Sequence, residues 1–114
     1  NSVCHSIFLI NCEILNIAKS YGIDDTDVID VFNKSNARSY ISESRFPNNI
    51  LNGKFNGKSS IKNLKKDLKM INSILKKSKS KKNYTELSNE ILSKIDDKFN
   101  MKDFTNIYKM WNKI

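Results

Sequence analysis

The stretch of this 114-residue sequence best suited to chemistry runs from Gly53 to Met70, GKFNGKSSIKNLKKDLKM. Glycines let backbone amides turn toward an anion, and the start of a following helix favours negative charge, so such a loop could cradle a phosphate. The pattern does not specify that chemistry. No strand is predicted before GKFNGK, and it lacks the GK[ST] ending of a phosphate-binding loop, so Gly53 and Gly57 read as turn residues. The single histidine, His5, has no carboxylate or cysteine at metal-ligand spacing; it reads as structural, and no metal site is expected. Cys4 and Cys12 fall on one predicted helix, about 12 Å apart at 1.5 Å rise per residue, beyond disulfide reach. They read as free thiols in a reducing compartment.

The elements that must position these residues are helical. The composition is 39% hydrophobic and 28% charged with one proline and three glycines, which fits one all-α domain of about six helices. Val3, Ile7, Ile10, Ile14, Ile17 and Tyr21 recur at helical spacing and predict a long first helix, stopped at Gly22. Val3, Cys4, Ile7, Phe8, Leu9 and Ile10 together supply more apolar surface than one face can bury, so part of this helix should stay exposed. Helical periodicity starts immediately after Asn1, and the expectation is a helix that continued upstream.

Asp24 or Asp25 can cap a second helix with Val28, Val31 and Phe32 inward, ending near Lys34. SNARSYISESRFP reads as a short helix stopped before Pro47, and NNILNG as a further turn closed by Gly53. Ser59 or Ser60 can cap the next helix, whose stripe of Ile61, Leu64, Leu68, Ile71 and Leu75 defines a buried face and leaves Lys66 on the opposite side. Two more amphipathic helices follow, one carrying Leu87, Ile91, Ile95 and Phe99, the other Phe104, Ile107, Tyr108 and Trp111.

A formal net charge of +8 raises nucleic acid as a partner. Against it, Lys62, Lys65, Lys69 and the 76–82 run read as distributed around their helix with no aromatic stacking platform, and no groove-reading motif occurs. No nucleic-acid partner is therefore expected. No apolar run approaches the roughly 20 residues a membrane span needs, so no membrane partner is expected either, and the cytoplasm is the expected compartment. The residues alone thus describe a basic helical domain of undetermined function.

Three stretches, in order, add a resemblance. NCEILNIAKSYGID resembles the long helix of the β-hydroxyacid dehydrogenases, with Glu13 in the acidic position before the Gly-Ile-Asp stop. VFNKSNARSYISESR is similar to the segment in which Ser35, Arg38 and Ser39 fall on a Ser-x-x-Arg-Ser pattern. GKFNGKSSIKNLKKDL places Gly53, Phe55, Lys66, Asp67 and Leu68 on the G-x-F…K-D-L pattern. The resemblance covers most of the chain and points to the C-terminal helical domain of that family, which includes 3-hydroxyisobutyrate dehydrogenase, tartronate semialdehyde reductase and, more distantly, 6-phosphogluconate dehydrogenase.

The resemblance implies an NAD- or NADP-dependent oxidoreductase acting on a small hydroxyacid, with residues 1–114 as its substrate and dimerisation domain. A Rossmann domain, absent from this chain, would lie upstream and bind most of the cofactor. Asn1 falls on the family asparagine that orients a catalytic lysine one helical turn earlier, and that lysine would also lie upstream. Lys66 would face the cofactor; Asp67 and Ser59 would stand behind the contact residues, Ser59 occupying a position where many members carry phenylalanine. The domain would pair as a homodimer, and this piece alone would be inactive. Three other readings stand beside this one: a stand-alone basic module for nucleic acid or an acidic partner, a UDP-sugar dehydrogenase fragment, and an inactive relative.

Overall fold

The computed structural model describes residues 1–114 and is all-helical. Its helices are α1 (Ser2–Ser20), α2 (Asp25–Asn33), a π-helical segment (Ile41–Ile50), α3 (Ile61–Leu75), α4 (Asn83–Ser93) and the short α5 (Ile107–Met110), with single 3₁₀ turns among the last of them. There is no strand, only an isolated bridge between Ser60 and Asp103. No helix is long and apolar enough to cross a membrane. Cys4 is exposed and Cys12 buried, both as free thiols; burial pushes the Cys12 thiol well above its ordinary pKa, so it behaves as a packing group.

The first helix is the spine, touching α2, the π-helical segment, α3, α4 and α5. The stripe that marks its helical spacing is not the face it turns inward. Phe8, Leu9, Asn11, Cys12 and Leu15 are buried, whereas Val3, Ile10, Ile14, Ile17 and Tyr21 are exposed. Two apolar stripes compete on this helix, and the one bearing Phe8 wins because its ring meets two other aromatic rings. Phe8 lies 5.1 Å from Phe104 edge-on and 6.1 Å from Phe46, and Phe46 in turn stands 5.7 Å from Tyr108.

Local signals held where the chemistry is local. Gly22 and Gly53 adopt positive φ (78° and 75°), the conformation a helix stop or tight turn requires. Ser60 caps α3, its hydroxyl accepting from the Asn63 amide at 3.3 Å, and Ile61, Leu64 and Leu68 are buried as the stripe predicts. On α2 the buried residue is Ile29, Val28 and Phe32 are half-buried against the core, and Val31 is exposed.

Pro47 does not stop a helix: one π-helical segment runs through it from Ile41 to Ile50, so the predicted short helix and separate turn are a single element. Bonds spanning five residues, such as Leu51 N–H to Phe46 C=O at 2.8 Å, widen the coil so that a residue without an N–H is accommodated. The last predicted helix is instead broken into 3₁₀ and α turns around Asp103, whose Oδ1 accepts from the Gly57 and Thr105 amides at 3.0 Å each. The expected helix through Ile95 and Phe99 likewise ends at Ser93, with those residues in the following turn.

Tyr108 ties three elements together. Its hydroxyl donates to Asp25 at the start of α2 and accepts from Lys19 Nζ at 2.7 Å near the end of α1, with Lys19 also 3.2 Å from Asp25. Burial, reinforced by the bond to Asp25, pushes the phenol up to about 12, and the bond to Tyr108 raises Lys19. Both groups hold protons more tightly when folded than unfolded, so their contribution is complete below about pH 10 and is lost as pH rises toward about 12. Thermal melts followed by circular dichroism between pH 9 and 12 should therefore fall more steeply for the natural sequence than for Tyr108→Phe. Parallel curves would remove Tyr108 from the alkaline response.

Candidate functional site

Several polar groups of the GKFNGK loop serve the chain itself. Gly57 N–H donates to Asp103 and Lys54 N–H to the Asn52 side chain, both at 3.0 Å, while the Gly57 carbonyl accepts from Arg45 at 3.2 Å. Gly57 is glycine for space: a Cβ there would meet the Phe104 ring at 2.5 Å.

The polar cluster lies instead where the first turn of α1 approaches the middle of α3. Asn1 and His5 are four residues apart and so share one side of α1. Both reach the same atom. Asn1 Nδ2 donates to Asp67 Oδ2 at 2.9 Å, and His5 Nε2 lies 3.1 Å from that oxygen. The other carboxylate oxygen, Oδ1, is 3.5 Å from Lys66 Nζ. Because an ionised carboxylate only accepts, the His5 contact places the ring proton on Nε2.

Burial alone would push the Asp67 carboxyl up. The hydrogen bonds from His5 and Asn1 and the charge of Lys66 outweigh it and hold the group below the ordinary carboxylate range. Asp67 is therefore ionised at neutral pH, with its side chain 21% exposed against 62% for Lys66. Beside the cluster is a cavity of about 230 Å³ lined by Asn1, Ser2 and Asp67 on its polar side and by Met70, Ile71 and Ile74 on its apolar side. The arrangement fixes the amide of Asn1, keeps a negative charge beneath it and leaves the Lys66 ammonium at the surface.

Of the sequence-predicted residues, Asn1, Lys66 and Asp67 come together here. Ser59 does not join them: it stands at the start of α3, where its hydroxyl accepts from Asn63 Nδ2 at 3.2 Å and its carbonyl from the Phe104 amide at 2.9 Å. Ser35 and Ser39 make local turn bonds, and Arg38 pairs with Glu43 at 3.3 Å on the surface. His5 is the residue that sequence reasoning passed over. Its spacing of four from Asn1 was the available signal, but only the packing of α1 on α3 gives it a carboxylate.

One further expectation fails on geometry. Lys62, Lys65, Lys66 and Lys69 are not spread around α3; they line one cavity of about 510 Å³ together with Asn89, Ser93, Asp97 and Asn100. Their spacings of three and four put them on a single stripe, and α4 with the turn after it closes the other side. Lys65 is held there by the Ile95 carbonyl at 2.6 Å and Asp97 at 3.1 Å.

Comparison with curated proteins finds no match. Residues 1–111 match the family described as NAD-binding of NADP-dependent 3-hydroxyisobutyrate dehydrogenase. That match spans nearly the whole chain, from the asparagine that binds Asp67 to the tryptophan that begins the last turn, and it marks an NAD(P)-dependent oxidoreductase lineage. The chain therefore belongs to the β-hydroxyacid dehydrogenase family.

Proposed function

We propose that residues 1–114 form the C-terminal helical domain of an NAD- or NADP-dependent dehydrogenase for a small β-hydroxyacid of the 3-hydroxyisobutyrate type, with a Rossmann domain encoded upstream. The observation that carries this reading is the convergence of Asn1 and Lys66 on Asp67 beside a cavity with one polar and one apolar side.

A nicotinamide cofactor, when bound, supplies or accepts the hydride. The residues here fit one flank of such a cofactor: Lys66 offers an exposed ammonium, while an all-helical chain has no strand and glycine-rich turn to grip a pyrophosphate. Hydride transfer at a carbonyl carbon needs a proton donor at its oxygen. In this reading the donor is an upstream lysine one helical turn before Asn1. Asp67 fixes the Asn1 amide by taking its N–H, which leaves Oδ1 to accept from that ammonium and orient it. His5 holds Asp67 from the side away from Lys66, and Ser59 supports the loop rather than the reacting atoms.

The exposed stripe of Val3, Ile10, Ile14 and Ile17 on α1 supports a homodimer through this domain. Nothing in the reading calls for nucleic acid or a membrane, and the free thiols suit a reducing cytoplasm.

The test is the complete encoded protein, purified and assayed with NADH and NADPH against 3-hydroxyisobutyrate and related small hydroxyacids in both directions, with light scattering on the same sample. Turnover by a dimer is expected, whereas residues 1–114 alone should bind either cofactor weakly or not at all. A folded full-length protein that turns over none of these acids, or that is strictly monomeric, overturns the corresponding part of the proposal.

A further inference from the structure

A third cavity, sharing no residue with the Asn1–Asp67 cluster, lies between the end of α4 and the C-terminal turns. Its volume is about 480 Å³, within the range of small-molecule sites. Lys94, Lys98, Lys102, Lys109 and Lys113 line it, all from the C-terminal segment 94–113 as it turns from the end of α4 through the 3₁₀ turn at Asp97–Phe99 and the loop before Asp103 to α5 and its following turn.

Elsewhere Lys19, Lys34, Lys65 and Lys66 are paired with Asp25, Asp30, Asp97 and Asp67, while Lys62 and Lys69 in the α3 cavity have no ion pair. Here the only acidic side chain in the lining is Asp96, 3.7 Å from Lys98. Lys109 is drawn off by the Phe55 ring, 3.6 Å below its ammonium. Lys94, Lys102 and Lys113 are left without an ion pair.

The convergence is visible at one ring. The ammonium groups of both Lys98 and Lys102 stand over Phe99, 5.1 and 5.7 Å from its centroid. Like charges gathered around one concavity repel each other, and a cleft lined by one sign of charge raises the local concentration of the opposite ion. The floor of Ile95, Phe99, Met110 and Ile114 is apolar and lowers screening by water. A compositional excess of lysine explains their number; the turns of residues 94–113 are what bring all five onto one concavity.

We propose that this cavity is a binding site for a small polyanion of the polyphosphate class, independent of the dehydrogenase reading. Three or more charges are needed to satisfy the unmatched lysines, and a cavity of this volume selects a compact ligand over a polymer.

Calorimetric titration of residues 1–114 with inorganic tripolyphosphate at about 0.15 M salt, where charges farther apart than about 8 Å are screened, tests it. Saturable one-to-one binding is expected. The double variant Lys98→Ala with Lys102→Ala should weaken it at least about tenfold through the loss of charge-assisted contacts. Lys76→Ala with Lys77→Ala, which removes the same charge at the far end of α3, should leave it within about twofold. All four lysines are exposed, so circular dichroism should show both variants folded. Absence of saturable binding, or equal weakening by the two double variants, overturns the site. Tighter binding of a single-stranded DNA oligonucleotide through Lys98 and Lys102 also overturns it, in favour of a nucleic-acid surface.

Discussion

Phe8→Ala is expected to destabilise the fold by about 3–5 kcal/mol, the usual cost of emptying a buried aromatic site. Phe8 is 1% exposed and stands between the rings of Phe46 and Phe104, so its removal opens a cavity where α1, the π-helical segment and the C-terminal turns meet. For a domain of this size, with total stability of about 5–15 kcal/mol, the melting temperature should fall by roughly 10–20 °C. Ile14→Ala on the other apolar stripe, where the side chain is 39% exposed, should cost under about 1 kcal/mol. Thermal melts of the two variants decide between the faces. Similar shifts would return the Ile10–Ile14–Ile17 stripe to the core and contradict the inward face described above.

If the proposed function holds, Lys66→Ala in the complete encoded protein is expected to lower kcat/KM by about 10- to 100-fold, the value of one charge-assisted hydrogen bond of roughly 1.5–3 kcal/mol. The ammonium is exposed and lies 3.5 Å from Asp67, so its loss removes the cation beside the carboxylate that fixes Asn1 and, on the proposed function, the charge turned toward the cofactor. Lys62 and Lys69 share the α3 stripe but have no contact with Asp67; their alanine variants should cost much less. Steady-state kinetics on the three variants, with either nicotinamide cofactor, separates a specific role from a general one. Equal losses at all three positions would make Lys66 one solvated lysine among several, and the common cavity on α3 would then act only through its summed charge.

Much of this was legible in the sequence because it depends on neighbours a few residues away. Helical periodicity, the Ser60 cap, the positive-φ stops at Gly22 and Gly53 and the buried stripe of Ile61, Leu64 and Leu68 are properties of single turns of chain. The order of three short stretches also carried the family, since each fixes residue types at a spacing that a helix preserves. Lys66 opposite the core stripe followed from 100° per residue alone.

Tertiary structure decided the rest, for reasons that no window of sequence contains. On α1 two apolar stripes are equally periodic, and the choice between them was made by Phe46 and Phe104, 38 and 96 residues along the chain. Pro47 reads locally as a stop, yet packing of Phe46 and Ile50 into the core holds a wider coil through it. His5 looked inert until α3 brought Asp67 to within 3.1 Å, a pairing across 62 residues. The lysines, too, read as a diffuse excess; spacing puts those of α3 on one stripe, but only the packing of α4 against it and the turns around Phe99 make two cavities of them. Sequence fixes which face of each helix is available, whereas contact between helices fixes which face is used, because burial is gained only where a complementary surface arrives.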